Sequence, residues 1–309
     1  MGIIKNICLC LAVFALLSAC KGKPDITEQA IPETAAEIEI ETAAEAEIAA
    51  VAEEKTGVAV SFQTQRTLPD ISKIGGRVSV KEINPLNYEN PDLEIMRQMG
   101  AQPYLISYLS GEQFLKKGDY DKAIAEYTVS INTNREFAEA YSSRGKAWLK
   151  KKEYSRAIDD FSQSIRLDDS KAETYNYRGF ARTSASTSAA SYNSAIEDFS
   201  RAISLNKNYV DALINRSHAY YNTGNYERTI EDCTSILRLE PQNAYIWNRR
   251  GSAWYHRKND DRAIVDFTEA IKIKPDYAVA FHNRGNALHS KGEYDRAIAD
   301  FETAKKLYH

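Results

Sequence analysis

Cysteine is nearly absent from most of this chain. Three of the four cysteines in the 309 residues lie within the first 20, and Cys233 stands alone after them. Residues 21–309 therefore cannot form an internal disulfide. We expect Cys233 to be a small, buried apolar residue and not a reactive thiol.

An excess of charge of either sign is also lacking. The chain has 40 Lys and Arg against 43 Asp and Glu, a formal net charge of −3, and the two signs are interspersed. Proteins that bind nucleic acid usually concentrate basic residues in one patch or stripe. We therefore expect no nucleic-acid partner.

The motifs that mark common catalytic chemistry are missing as well. The sequence has no nucleophile-elbow motif, no phosphate-binding glycine loop, no paired-carboxylate motif and no Cys/His set with metal-site spacing. We expect neither an enzyme nor a protein that carries a cofactor.

Long apolar runs are absent too. The longest, residues 7–17, has 11 residues and is too short to cross a bilayer comfortably. The segment Leu-Ser-Ala-Cys at 17–20 follows and resembles the lipobox of bacterial lipoproteins. This resemblance implies that residues 1–19 are a lipoprotein signal peptide and that Cys20 becomes the acylated, palmitate-bearing first residue. An ordinary signal peptide cut nearby and a short membrane anchor are the alternatives.

The lipobox also implies a location. It predicts a protein anchored by the lipid on Cys20 in the bacterial cell envelope, with the rest of the chain in the periplasm or at the surface. Lys21 follows the cysteine where Asp would favour the inner membrane, so the outer membrane is favoured.

Two segments of different character follow the signal. Residues 20–56 are rich in Ala and Glu and lack aromatics, which predicts a disordered acidic tether. Residues 57–103 are predicted to be an irregular lead-in. They alternate like short strands at 57–62 and 77–81, and a helical turn or two is expected at 92–99, ended by Gly100.

The remainder of the chain is repetitive. Gly111, Gly145 and Gly179 are spaced by 34 residues, as are Ser217, Gly251 and Gly285, whereas Gly179 and Ser217 are 38 residues apart. A constant period of this length is typical of a repeat architecture. It divides residues 104–309 into six units: 104–137, 138–171, 172–209, 210–243, 244–277 and 278–309.

Each unit carries the same apolar positions. In the second unit Tyr141, Gly145 and Trp148 occupy positions 4, 8 and 11, and Ala157 and Phe161 occupy positions 20 and 24. Positions 4, 8 and 11 share one side of a first helix, and positions 20, 24 and 27 share one side of a second. Small residues at 8, 20 and 27 would let the two helices approach closely.

This pattern resembles the tetratricopeptide repeat. The resemblance implies an all-α, right-handed superhelical solenoid of six helical hairpins, with the first helices facing a concave groove that binds peptide or protein partners. Together with the lipobox, it implies a membrane-anchored interaction scaffold or adaptor in the cell envelope.

The groove is expected at positions 2, 5, 9, 12 and 13 of the first helices, opposite their apolar side. The resemblance implies ligand contacts at these positions. Amides can hydrogen-bond an extended peptide, and aromatic rings offer contact area for its side chains. The predicted groove residues are Tyr108, Asn176, Phe180, Asn215, His218, Tyr221, Asn222, Tyr245, Asn248, Tyr255, His256, His282, Asn286 and His289.

Four of the five histidines fall in this set, at His218, His256, His282 and His289. They leave open an alternative function, in which the His- and Tyr-rich C-terminal half of the groove binds a small ligand or a metal. Zinc needs three or four ligands in a fixed tetrahedron, and the sequence fixes no third beside His256 and His289. We therefore expect no metal.

An arginine at position 7 accompanies an aspartate at position 23 in units two to six, as in Arg216 and Asp232. Unit one lacks both and carries Ser110 and Glu126. The joint presence predicts a charge-assisted contact between paired helices or across the joint to a neighbouring unit.

Two irregularities carry further expectations. Unit three is four residues longer within the Ser-rich segment 183–191, which predicts a longer turn, a lengthened first helix or a docking loop. The sixth unit ends without the polar helix that usually caps a solenoid. We expect Ile298, Phe301 and Leu307 to be partly open, which favours a homodimer or another partner there.

Overall fold

The computed structural model describes residues 93–98 and 100–308, and these residues form thirteen α-helices and no strand. The expected signal peptide, Cys20, the tether and the segments 57–62 and 77–81 lie outside the described residues. The first described helix, α1 (Leu93–Gln98), packs against the helix that follows. Gly100 comes just after it with a φ of +77°, so the predicted short helix ended by this glycine is confirmed.

The other twelve helices form six antiparallel hairpins that coincide with the six predicted units. Each hairpin pairs a first helix of 13 or 14 residues with a second of 14 or 17 residues. The hairpins are α2 (Pro103–Lys116) with α3 (Tyr120–Thr133), α4 (Ala138–Lys150) with α5 (Tyr154–Leu167), α6 (Ala172–Ala185) with α7 (Ala189–Leu205), α8 (Val210–Asn222) with α9 (Tyr226–Leu239), α10 (Ala244–His256) with α11 (Asp260–Ile273), and α12 (Ala278–Ser290) with α13 (Tyr294–Leu307).

A three-residue turn joins the helices of each hairpin. In the fourth repeat, Gly224 in this turn has a φ of +73°, and the next N–H, that of Asn225, donates to the carbonyl of Tyr220 at 2.8 Å. This pattern satisfies the last carbonyls of the first helix. The Asn225 side chain then accepts from the N–H of Arg228 and caps the second helix.

The third repeat places its four additional residues in helices. α6 has one residue more than α4, α7 has three more than α5, and the turn between α6 and α7 keeps three residues. Ser188 caps α7 by accepting from the N–H of Ser191 at 3.2 Å, and the two alanines that follow Ser188 are strong helix formers. The prediction of a longer turn is therefore wrong. The lengthened first helix accounts for one of the four residues.

The core of each hairpin is a close approach of two helices. A Cβ added at Gly145 would lie 2.7 Å from the ring of Phe161, so the position must stay small. The fourth repeat replaces this pair by Ser217 and Cys233, both fully buried, and a larger side chain at position 8 faces a smaller one at position 24. The predicted burial of Cys233 is confirmed, and burial raises the pKa of its thiol to about 12.

Candidate functional site

The first helices lie along one side of the stack of hairpins. First helices of consecutive repeats, such as α6 with α8 and α10 with α12, approach each other, whereas each second helix mainly contacts the first helices beside it. The stack therefore curves toward the first helices, which line its concave side. We call this surface the groove.

An arginine at position 7 fixes each first helix from α4 onward. Arg216 donates two hydrogen bonds to Asp232, Nε to Oδ2 at 2.9 Å and Nη2 to Oδ1 at 2.7 Å. Its third nitrogen, Nη1, donates to the Ser200 hydroxyl on the preceding second helix at 3.0 Å. The same three-part contact recurs at Arg144 (Asp160, Thr128), Arg178 (Asp198, Ser162), Arg250 (Asp266, Thr234) and Arg284 (Asp300, Thr268).

The predicted arginine–aspartate contact is thus confirmed, and it acts both within a hairpin and across the joint. Burial raises the pKa of the Asp232 carboxyl, while the paired guanidinium of Arg216 opposes that rise. Because position 7 is anchored on the hairpin side, the opposite side of each first helix is held toward the groove.

Most of the predicted groove residues keep some exposure. Phe180 is 39% exposed, an uncommon exposure for a large apolar ring. Asn222, His256 and His289 are exposed, and the half-buried members are Tyr108, Asn215, His218, Tyr221, Tyr245, Tyr255, His282 and Asn286.

Asn176 and Asn248 are instead buried between neighbouring first helices. Asn215 donates to the Asn176 amide oxygen at 3.0 Å, and Asn283 donates to that of Asn248 at 3.2 Å. In both cases position 5 of one repeat accepts from position 6 of the next. These amides bond the repeats to each other at the floor of the groove.

A polar aromatic cluster lies where the fourth and fifth repeats meet. The Tyr226 and His256 rings are stacked with centroids 4.6 Å apart and an interplanar angle of 4°. The Tyr221 hydroxyl lies 2.8 Å from His256 Nε2, and the Tyr255 ring stands 6.0 Å from the imidazole. The structure therefore brings together three predicted residues and one, Tyr226, that the groove positions did not include.

The other predicted histidines and tyrosines of the fifth and sixth repeats lie outside this cluster and contact other residues. His282 lies 5.4 Å from the Phe301 ring, and His289 packs edge-on against Tyr294 at 5.1 Å. The Tyr245 hydroxyl accepts from Lys274 Nζ at 2.6 Å. Within residues 93–98 and 100–308, no group of three or more His, Cys, Asp or Glu side chains is arranged to hold a metal ion.

Acidic residues occupy position 2 of the third and fourth first helices, at one edge of the groove. Glu173 and Asp211 are exposed there, on α6 and α8. Burial and the negative charges of these two carboxylates together raise the pKa of Tyr177 to about 12. This edge therefore has the opposite sign to the lysines of the second repeat, such as Lys146 and Lys150.

The groove positions missed residues that the structure assigns to the same surface. Asn283 and Ser143 occupy position 6 and bond to position 5 of the preceding repeat, and Tyr226 begins a second helix. The sequence does indicate that position 6 belongs to the groove. It borders the apolar side of the first helix, yet it is polar in units two, four, five and six.

In the part of the chain that the structure describes, every helix is too short or too polar to cross a membrane.

Comparisons with known proteins agree with this architecture. The crystal structure of MamA protein shares 24% identity over 57% of this chain and 94% of its own, with a TM-score of 0.53. YrrB, described as a TPR protein with an unusual peptide-binding site, shares 18% over 62% and 97%, with a TM-score of 0.56. The C-terminal part of a TPR repeat-containing protein from Cytophaga hutchinsonii shares 16% over 65% and 78%, at 0.57. Likeness at these identities shows the fold alone.

Curated protein sequences contain no match to this chain. Family profiles do match it. Three profiles described as tetratricopeptide repeat match residues 278–309, 108–172 and 210–243, and one described as TPR repeat matches residues 251–292. These segments together make up about half of the chain and lie within the six hairpins. The chain belongs to the tetratricopeptide repeat family.

Proposed function

We propose that this protein is a non-enzymatic interaction scaffold that binds a peptide or protein partner in the groove. The observation that carries the proposal is Phe180, which is 39% exposed at position 9 of α6, near the middle of the groove. A large apolar ring left open on a surface of polar side chains is typical of contact sites.

The surrounding groove residues suit an extended peptide. Asn215 and Asn286 offer amide groups, and Tyr255 and His282 offer half-buried rings on the same surface. Such residues can hydrogen-bond a peptide backbone and cover its side chains. The mixed charge of the groove gives no support to nucleic acid as the partner.

Site-specific photo-crosslinking tests this proposal. A photoreactive phenylalanine analogue at Phe180 should form crosslinks to partner chains in living cells. The same analogue at Val265, which is 65% exposed on the second helix α11, is the matched control. Crosslinks from position 265 with none from position 180 would place the binding surface on the other face and contradict the proposal.

We further propose that the lipid on Cys20 anchors the scaffold in the bacterial cell envelope, in the outer membrane. The apolar run at 7–17 and the Leu-Ser-Ala-Cys segment support this proposal. Metabolic labelling with a palmitate analogue should mark the wild type and leave Cys20→Ser unlabelled. Membrane fractionation of the same pair then tests the location. Labelling that persists in Cys20→Ser, or an unlabelled wild type, would refute the anchor.

Calorimetric titration with zinc distinguishes the scaffold from the alternative function. In that alternative, the His- and Tyr-rich C-terminal half of the groove binds a small ligand or a metal. Saturable binding that is lost in His256→Ala would support it. The scaffold proposal expects no such signal, and its crosslinks from position 180 should be unaffected by zinc.

We propose, in addition, that the outward side of α13 pairs with a second copy of the chain. Tyr294 is 58% exposed on this helix, Ile298 48% and Leu307 38%, and Phe301 is half-buried. Light scattering at micromolar concentration should give the mass of a dimer, and Ile298→Lys should give a monomer. A monomeric wild type would end the proposal.

A further inference from the structure

The last described helix, α13, keeps part of the surface with which the other second helices hold the next repeat. Position 21 of the second helix is isoleucine in all six repeats. In the fifth repeat, Ile264 is half-buried and packs against a core cluster that contains Ala287 of the following first helix. In the sixth repeat, Ile298 is 48% exposed, and Tyr294, one turn before it, is 58% exposed. Within the described residues, no first helix follows α13 and covers these two side chains.

Two other positions on this side of α13 differ in chemistry from the other repeats. Position 25 is serine or threonine in the first five repeats, and its hydroxyl accepts from the arginine of the next repeat, as Thr268 accepts from Arg284 at 3.2 Å. In the sixth repeat this position is Glu302. Position 28 is isoleucine or leucine in the first five repeats, and Leu237 of the fourth is buried in a cluster that reaches the next first helix. In the sixth repeat this position is Lys305.

Glu302 and Lys305 are exposed and have opposite charges. In the part of the chain that the structure describes, neither forms an ion pair or a side-chain hydrogen bond. Glu302 follows Ile298 by four residues and Lys305 follows Glu302 by three, so the three side chains share one side of the helix. This side therefore presents an apolar group beside one acidic and one basic group, which is a self-complementary arrangement.

The first hairpin of another copy is unsuited to continue the stack on α13. At the joints within the array, the next first helix provides an arginine at position 7 and an alanine at position 10, such as Arg284 and Ala287. The first hairpin has Ser110 and Gln113 at these positions, and α1 packs against its first helix. A two-fold arrangement, in which α13 contacts α13, needs neither the arginine nor the alanine.

We propose that α13 pairs antiparallel with α13 of a second copy, and that Glu302 of each copy pairs with Lys305 of the other. In a two-fold interface every contact occurs twice, so this contact supplies two ion pairs. Ile298 and Tyr294 are covered beside them and supply apolar contact. This inference rests on the proposed pairing of two copies and adds its symmetry and its specific contact. The pair carries two grooves, so one assembly can bind two partner chains.

Native mass spectrometry of the full chain, released from mild detergent over a concentration series, tests the contact by charge reversal. The wild type should give the mass of a dimer. Glu302→Lys places lysines opposite lysines at two points, and Lys305→Glu places glutamates opposite glutamates, so each should raise the Kd of the dimer by about tenfold or more. The double variant Glu302→Lys/Lys305→Glu restores both opposite pairs and should form dimers as the wild type does.

A mixture of the two single variants gives a sharper test, because only their heterodimer has complementary charges at both points. One variant is labelled with a heavy nitrogen isotope, so that the heterodimer has its own mass. Heterodimers should outnumber both homodimers. The matched control is Glu269→Lys on α11, where Glu269 and Lys272 have the same spacing and pair at 3.0 Å on an exposed surface. This control should form dimers as the wild type does.

The outcomes separate the contact from the dimer. A monomeric wild type refutes both, while crosslinks from position 180 would still support the groove. A dimer that both single reversals leave intact is held by other residues, and this inference fails. Reversals that weaken the dimer but give no heterodimer in the mixture exclude the pairing of Glu302 with Lys305. Masses of trimers and longer oligomers would indicate head-to-tail stacking and contradict the two-fold axis.

Discussion

Lys152 and Lys258 adopt φ values of +60° and +58° in their hairpin turns, where Gly118, Gly224 and Gly292 occupy the same position in other repeats. The left-handed region is unfavourable for a residue with a Cβ and open to glycine. These two lysines are therefore strained by about 1 kcal/mol each, which the following backbone hydrogen bonds must offset.

Replacing the strained lysine should stabilise the protein. We expect Lys258→Gly to increase the free energy of unfolding by about 0.5–1 kcal/mol, after allowance for the greater freedom of glycine in the unfolded chain. Gly224→Lys makes the reverse change and should cost a similar amount. Chemical denaturation measures both. A decrease for Lys258→Gly would mean that the lysine side chain makes contacts worth more than the strain.

Single positions also show what a sequence can predict about the groove. The arginine–aspartate contact was predictable because both residues recur together in five units and are lost together in one. The burial of Asn176 and Asn248 was not, since a helical wheel gives the direction of a side chain but not the distance to the next first helix.

At the scale of the helix pair, the close contact between positions 8 and 24 decides which residues can occur. Five repeats combine glycine with an aromatic ring, and the fourth combines Ser217 with Cys233. The volume added to one helix is removed from the other. Each pair therefore fills the same space in a different way.

This complementarity predicts a non-additive pair of substitutions. Gly145→Ser alone should destabilise the second repeat by about 1–3 kcal/mol, because the new side chain meets the Phe161 ring. In the double variant with Phe161→Cys, the serine should cost less than it does alone. Denaturation of the two single variants and the double variant gives the coupling free energy. A coupling near zero would mean that the two sites are independent.

The hydrogen-bonded aspartate of a hairpin gives a second prediction at this scale. Asp232→Ala removes the partner of Arg216, whose side chain is 19% exposed, and should cost about 3 kcal/mol. Glu231→Ala, on the same helix, removes a carboxylate that pairs with exposed Arg228, so its effect should stay within about 0.5 kcal/mol. Thermal unfolding measures both changes. Binding of a groove partner should be equal in the two variants below their unfolding temperatures.

The extended helices of the third repeat show where sequence reasoning stops. A Ser-rich insertion is compatible with a turn, and the low helix propensity of serine favours that interpretation. The N-cap that Ser188 provides and the two alanines after it favour a helix there. Such local preferences contribute less free energy than tertiary contacts do, so they did not determine the prediction. The period of 38 residues located the insertion without revealing its conformation.

The six hairpins in residues 103–308 form a linear array in which the main contacts of each hairpin are with its neighbours in the chain. In such an array, stability is a sum of repeat and joint contributions, and a local defect spreads only as far as the joints allow. The number of repeats, their order and their pairing were predictable because the period is nearly constant. The concave side was expected from the resemblance to the tetratricopeptide repeat, whereas the contacts between neighbouring first helices are seen only in the structure.

A defect at the end of the array should therefore remain local. Phe301→Ala opens the core of the sixth repeat, and we expect faster hydrogen exchange in α12 and α13 with unchanged protection in α2 to α5. Phe199→Ala, in the third repeat, is the matched substitution at an internal position. It should increase exchange in the repeats on both sides. Uniform loss of protection in both variants would mean that the array unfolds as one cooperative unit.

The three-part contact made by each arginine gives the array a direction. Every one of these arginines needs an aspartate from its own hairpin and a hydroxyl from the hairpin before it. Within the described residues no hairpin precedes the first, and there the arginine is replaced by Ser110 and the aspartate by Glu126. If a hairpin is duplicated in the interior of the array, its arginine finds the aspartate in its own hairpin and the hydroxyl in the hairpin before it. One fused ahead of the first would meet a hairpin that lacks the matching guanidinium, so lengthening by duplication is easier in the interior than at the front.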